Sequence, residues 1–91
     1  MAMIAVWLKI DENRVVQALQ EAREKLDSAE DEMVLDFSSV RRVDPSVLRA
    51  MEEFAGKADE KGVKVMLHGV NVDIYKVLTL VKLTSRFSFV T

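Results

Sequence analysis

The sequence predicts an α/β fold built on a parallel sheet. Four short runs rich in β-branched and aromatic residues alternate with longer segments in which apolar residues recur at helical spacing. Strands that are connected through helices in this way lie parallel, with right-handed crossovers. A chain of 91 residues supports one core. We therefore expect a single domain over 1–91, with a mainly parallel four-stranded sheet and three amphipathic helices in the order β-α-β-α-β-α-β.

The first strand is predicted over Met3–Ile10, because this run is apolar and contains β-branched residues and a tryptophan. The polar group Asp11–Asn13 then supplies a helix start. Four apolar residues follow at spacings of four, three and four, which places them on one helical face. These residues are Val15, Leu19, Ala22 and Leu26. The acidic stretch Asp27–Asp31 is predicted to be a loop.

The second strand and second helix are predicted over Met33–Phe37 and from Pro45 to about Glu60. Asp44 can cap this helix through its carboxylate, and proline suits the first helical position because its missing N–H would be unpaired there. Gly62 is a typical left-handed helix terminator. The predicted core stripe of the helix is Leu48, Met51, Ala55 and Ala58, widened by Val47 and Phe54.

The last third of the chain predicts a third strand over Val63–His68, a turn at Gly69–Asn71, and a third helix capped by Asn71. A short terminal strand is expected over Phe87–Val90. The expected buried face of the third helix consists of Ile74, Val77, Leu78 and Val81.

Composition excludes several classes of function. A net charge of −2 and a pI near 5.4 give no basic footprint for nucleic acid. The absence of cysteine excludes thiolate metal sites and is compatible with a reducing cytoplasm. The apolar segment Val72–Leu83 is too short to span a bilayer, so we expect no membrane insertion.

Nothing in the sequence predicts an enzyme, a metal site or a cofactor. The chain has no glycine-rich phosphate loop, and His68 is its only histidine, with no partner at a recognisable spacing. We interpret it as a partly covered surface residue. A metal-binding or catalytic pair formed by Asp36 and Asp44 is less favoured than structural roles at a strand end and a helix cap. An enzyme or small-molecule binder using Asp44 and Ser46 would lack a base.

Four segments of the chain, in this order and spacing, resemble the STAS domain, which occurs in bacterial anti-sigma factor antagonists and sulfate transporters. The resemblance begins near Trp7 and covers nearly the whole chain. The segments are Val34–Ser38, Val43–Ser46, Lys61–Leu67 and Gly69–Asn71.

The resemblance implies a function in protein–protein regulation. In the antagonists, the third residue of an Asp-Ser-Ser-Gly or Asp-Ser-Thr-Gly signature carries a hydroxyl that a partner anti-sigma factor, itself a serine kinase, phosphorylates to release the complex. That residue corresponds to Ser46, the candidate phosphoacceptor, while Pro45 and Val47 depart from the signature. The resemblance thus implies a cytoplasmic bacterial signalling protein acting on transcription. Its predicted partner-binding residues are Arg41, Arg42, Val43, Asp44, Pro45, Ser46 and Val47.

A second interpretation stays open. The compact chain is also similar to the small STAS subunit of the lipid-asymmetry ABC transporter, which has a Gly-Val-Asn followed shortly by a tyrosine. Here these residues are Gly69–Asn71 and Tyr75. The partner would then be a cytoplasmic transporter ATPase, contacted through the same surface without modification of Ser46. A homodimer is compatible with either interpretation.

Overall fold

A four-stranded parallel sheet forms the centre of the molecule, whose computed structural model describes residues 6–28 and 31–90. The strands lie side by side in chain order, and every neighbouring pair is parallel, so the predicted α/β architecture is confirmed. Each observed strand overlaps its prediction, although the bounds differ; Met3–Ala5 lies outside the described residues. The strands are β1 (Val6–Lys9), β2 (Glu32–Asp36), β3 (Lys64–His68) and β4 (Ser88–Val90).

Three α-helices connect these strands: α1 (Val15–Lys25), α2 (Pro45–Lys61) and α3 (Val72–Leu80). Because the three crossovers all run between adjacent parallel strands in the same direction, right-handed connections place the helices on one face of the sheet. Two single-turn 3-10 helices, which the sequence did not predict, precede α1 and β4. They span Glu12–Arg14 and Thr84–Arg86.

The predicted caps of α2 and the predicted cap at the start of α3 are confirmed, whereas α1 begins at Val15 without a side-chain cap. The Asp44 carboxylate accepts a hydrogen bond of 2.9 Å from the backbone N–H of Val47, with Pro45 as the first residue of α2. Gly62 ends α2 in the left-handed region, with φ at +70°. At the start of α3, the side-chain oxygen of Asn71 accepts a hydrogen bond of 2.8 Å from the N–H of Ile74. Each cap satisfies backbone groups that have no partner within the helix.

The core lies between the sheet and the three helices. All four residues predicted for the buried face of α1 are buried. In α2 the buried stripe is centred differently from the prediction, because Leu48 is only half-buried. Val47, Met51, Phe54 and Ala58 follow at spacings of four, three and four, and Leu48 lies at the edge of this face. The buried residues of α2 are Val47, Met51, Phe54, Ala55 and Ala58.

The predicted buried face of α3 is partly wrong. Ile74 and Leu78 are buried, but Val77 is half-buried and Val81 is 45% exposed. The helix ends at Leu80, and the chain then turns at Lys82, which has a φ of +62°. Val81 therefore lies beyond the helical periodicity on which the prediction depended.

The face of the sheet opposite the helices carries a small apolar group. Trp7 of β1 and Met66 of β3 flank Val34 in register, and Val34 is buried. Trp7 is 57% exposed, and its ring contacts the ring of His68 edge to face, with 5.3 Å between the centroids. His68 is half-buried there, which confirms its predicted position as a partly covered surface residue.

We predict opposite effects when Gly69 and Gly56 are each replaced by alanine. At Gly69, φ is +74° and a Cβ would lie 2.8 Å from the Cβ of Ser38, so Gly69→Ala should reduce the free energy of unfolding by about 2 kcal/mol or more. At Gly56, inside α2, a Cβ would meet no atom within 4 Å, so Gly56→Ala should increase the free energy of unfolding by roughly 0.5–1 kcal/mol. Urea denaturation measures both values. Unchanged stability in Gly69→Ala would show that this contact is dispensable.

Candidate functional site

The predicted partner-binding residues lie at the carboxyl edge of the sheet. Because all four strands run parallel, the segments that follow β1, β2 and β3 emerge at the same edge. These segments are 10–14, 37–44 and 69–71, and α2 begins beside them. Binding sites of open parallel sheets commonly lie at this edge. The fold therefore brings together three segments that are far apart in sequence.

The segment after β2 is fixed at its beginning by buried side chains and local hydrogen bonds. Phe37 and Val40 are buried, and the Val40 N–H donates to the Phe37 carbonyl at 2.9 Å. The Ser38 N–H donates to Oδ1 of Asp36 at 2.9 Å. Hydrogen bonding to Ser38, first through its hydroxyl as the larger effect and second through its backbone N–H, lowers the pKa of Asp36. Asp36 thus has a structural role at the strand end.

The segment after β3 packs directly against the segment after β2. Gly69 lies so close to Ser38 that a side chain at position 69 would clash with it. In addition, the Phe37 N–H donates to the His68 carbonyl at 2.7 Å. Two residues later, Asn71 uses both ends of its amide. While its oxygen caps α3, its Nδ2 donates to the carbonyls of Arg41 and Val40, at 3.0 Å and 3.4 Å. The Asn71 side chain therefore connects the start of α3 to the segment that leads into α2.

Most of the residues predicted to bind a partner are exposed. Arg41, Arg42, Asp44, Pro45 and Ser46 are all exposed, and Val43 is half-buried. Val47 is only 5% exposed and belongs to the core, so its side chain does not contribute to this surface. We refer to Arg41–Ser46 as the helix-start surface.

Ser46 is the second residue of α2, and its side chain points away from the core. Among the described residues, no protein group hydrogen-bonds to its hydroxyl. Negative charge near the first turn of a helix is stabilised by the helix dipole. The positive end of α2 therefore lies beneath this hydroxyl.

A groove of about 660 Å³ separates the helix-start surface from the beginning of α1. Arg41, Arg42 and Asp44 line one side, and Glu12 and Arg14 line the other. Arg14 was not among the residues predicted for the site. No sequence pattern relates Arg14 to Arg41 and Arg42, because only the parallel arrangement of β1 and β2 places the two segments side by side.

A second exposed surface, which the sequence did not predict, lies on α3. Val72, Tyr75 and Leu80 are 69%, 47% and 81% exposed. The Tyr75 ring packs edge to face on Phe89 of β4, with 5.0 Å between the centroids, beside a cavity of about 220 Å³. Asp73 and Lys76 are exposed between these residues along α3, so the apolar area is concentrated around Val72, Tyr75 and Phe89.

Within residues 6–28 and 31–90, no group of three or more His, Asp or Glu side chains could hold a metal ion. The same residues include no helix that is both long and apolar enough to cross a membrane.

Comparison with known proteins identifies the family. A family model described as "Mlab, STAS domain" matches residues 8–90. The chain belongs to the STAS family. No curated protein matches the sequence.

Solved structures of STAS domains share the fold of this one. The STAS domain of a SulP transporter from Vibrio cholerae has a TM-score of 0.78 at 15% identity, covering 100% of this chain and 77% of that one. A sulfate transporter family protein from Wolinella succinogenes has a TM-score of 0.77 at 18% identity, with coverages of 93% and 75%. A proposed anti-sigma factor antagonist from Thermotoga maritima has a TM-score of 0.65 at 17% identity, with coverages of 96% and 74%.

We predict that Asn71→Asp loosens the segment before α2 without removing the cap of α3. Aspartate keeps the acceptor for the Ile74 N–H but replaces the donor that binds the Arg41 and Val40 carbonyls. The free energy of unfolding should fall by about 1–3 kcal/mol, because two carbonyls would face a carboxylate. Amide hydrogen exchange at Val40 and Val47, whose N–H groups donate to the Phe37 carbonyl and the Asp44 carboxylate, should accelerate.

Asn13→Asp is the matched control, since Asn13 is exposed at another helix start and uses only its backbone N–H in a hydrogen bond. Equal exchange rates at Val40 and Val47 in both variants would contradict the role assigned to the Asn71 amide.

Proposed function

We propose that this STAS domain is a non-enzymatic regulatory domain of the bacterial cytoplasm that binds a partner protein through the helix-start surface. The partner in the leading proposal is an anti-sigma factor or a related serine kinase. The observation that carries the proposal is the exposed hydroxyl of Ser46 in the first turn of α2. It occupies the position that corresponds to the regulated hydroxyl of the antagonists.

Phosphorylation of Ser46 would act on the partner rather than on the fold. A phosphate adds roughly −1.5 to −2 charges near neutral pH. The start of α2 stabilises such a charge. A partner that covers Ser46 together with the Asp44 carboxylate would instead bury like charges side by side, which is strongly unfavourable at an interface. Phosphorylation would therefore release the partner while the domain stays folded.

The burial of Val47 supports this proposal. A valine in place of the signature glycine would obstruct a kinase if its side chain lay on the surface. Because the Val47 side chain lies in the core instead, it does not stand between a kinase and the exposed Ser46.

We predict that Ser46→Asp weakens partner binding at least about tenfold, because the partner would then bury the new carboxylate beside that of Asp44. The thermal midpoint should stay equal or rise slightly, since the new charge lies at the positive end of α2. Affinity capture from native lysate, with the retained kinase or anti-sigma factor identified by mass spectrometry, gives the partner. Titration of the purified partner then gives the dissociation constants.

Ser85→Asp is the control for net charge. Ser85 is also exposed, but it precedes β4 and so lies at the opposite end of the parallel sheet from Ser46. Ser85→Asp should bind like the unmodified domain. Equal affinity of the purified partner for the unmodified domain and Ser46→Asp would exclude Ser46 as the control point.

A second candidate function is supported by a specific observation. Two of the structural neighbours are named as transporter proteins, and the turn Gly69–Asn71 with Tyr75 resembles the small STAS subunit of the lipid-asymmetry ABC transporter. In this proposal the partner is the cytoplasmic ATPase of a transporter, and Ser46 contacts it without being phosphorylated. Recovery of such an ATPase in the capture experiment, with Ser46 unmodified in peptide mapping, would favour this function over the first.

A further inference from the structure

The groove between the start of α1 and the helix-start surface concentrates arginine. Arg14, Arg41 and Arg42 line it, which is half of the six arginines in the chain, and none of the seven lysines does. All three arginines are exposed. We name this feature, bounded by Arg14 on one side and by Arg41 and Arg42 on the other, the arginine groove.

These guanidinium groups are available to a ligand. In residues 6–28 and 31–90, the ion pairs join Asp27 to Lys57 and Lys61, and Asp59 to Arg86. The one hydrogen bond described for the Arg14 side chain goes to an uncharged group: its Nε donates to the side-chain oxygen of Gln17 at 3.0 Å.

The acidic groups around the groove do not neutralise it. Asp44 lines it, but one of its carboxylate oxygens accepts the Val47 N–H. Glu12 lines its other side, and Asp73 of α3 faces Arg41 and Arg42 from a neighbouring cavity. The groove itself therefore carries three positive against two negative residues, whereas the whole chain has a net charge of −2.

We infer that the arginine groove binds an acidic peptide segment of the partner protein. A guanidinium group binds a carboxylate through two parallel hydrogen bonds, which a lysine ammonium cannot do. The groove is an open cleft of about 660 Å³ rather than an enclosed pocket between core residues, and it is continuous with the helix-start surface through Arg41, Arg42 and Asp44. An extended segment rich in glutamate or aspartate suits this shape and charge. This inference rests on the proposed function, because it describes the partner that the helix-start surface would bind.

The experiment uses a defined peptide and needs no identified partner. The ¹⁵N-labelled domain is titrated with a peptide of alternating glutamate and serine, and amide chemical shifts are followed by NMR. We expect shifts confined to residues 12–17 and 41–47, and we expect the peptide to dissociate as salt is added, since exposed charges are screened. A peptide in which every glutamate is replaced by glutamine should cause no shifts there.

Two double variants with the same change in net charge separate the groove from the overall charge. Arg14→Gln/Arg42→Gln should weaken binding of the acidic peptide about tenfold. Arg23→Gln/Lys25→Gln should leave the affinity for the peptide unchanged, because both residues are exposed near the end of α1. At the rise of an α-helix, Arg23 lies about 14 Å along the helix axis from Arg14.

Three results would overturn the inference: shifts outside the groove, equal weakening in both double variants, or inorganic phosphate that shifts the same amides at a lower concentration than the peptide. The last result would assign the groove to phosphate groups. None of them touches the proposed function, which the capture experiment with Ser46→Asp tests separately.

Discussion

The candidate site depends on the contact between the segments that follow β2 and β3. Gly69 lies against Ser38 at a distance that leaves no room for a side chain, and the Asn71 amide joins the cap of α3 to the carbonyls of Val40 and Arg41. The residues from Arg41 to Asp44 have no regular secondary structure of their own. Their position is therefore set from the side by Asn71 and from the end by the cap at Asp44. Both constraints determine where α2 begins, and with it where Ser46 is presented.

The architecture was predictable because periodicity and capping residues agreed with each other throughout the chain. Four strands, three helices and the caps at Asp44 and Asn71 followed from local patterns, since each depends on residues close in sequence. The errors also have local causes. Leu48 lies at the edge of the buried face of α2, and spacing alone does not distinguish such an edge position from the centre of the face. Val81 follows the helical spacing, but the helix stops before it.

The site was less predictable than the fold because it is made from contacts between distant segments. Asn71 was predictable as a helix cap from its place before an apolar periodic run. Its hydrogen bonds to the carbonyls of Val40 and Arg41 were not, because they require the segment after β2 to lie beside it. Arg14 joins Arg41 and Arg42 only through strand order, which no short pattern encodes. The exposed apolar residues Val72 and Leu80 of α3 were outside its predicted buried face, and no local pattern indicated a surface role for them.

The most direct test of this account is hydrogen–deuterium exchange of the domain, free and bound to its captured partner. If the partner binds the helix-start surface, the backbone amides of residues 41–48 and of 12–17 should exchange more slowly in the complex. The amides of 83–90, at β4 and the turn before it, should be unaffected. Protection of α3 and β4, with no change over 41–48, would place the partner on the apolar surface around Tyr75 and contradict the role given to Ser46.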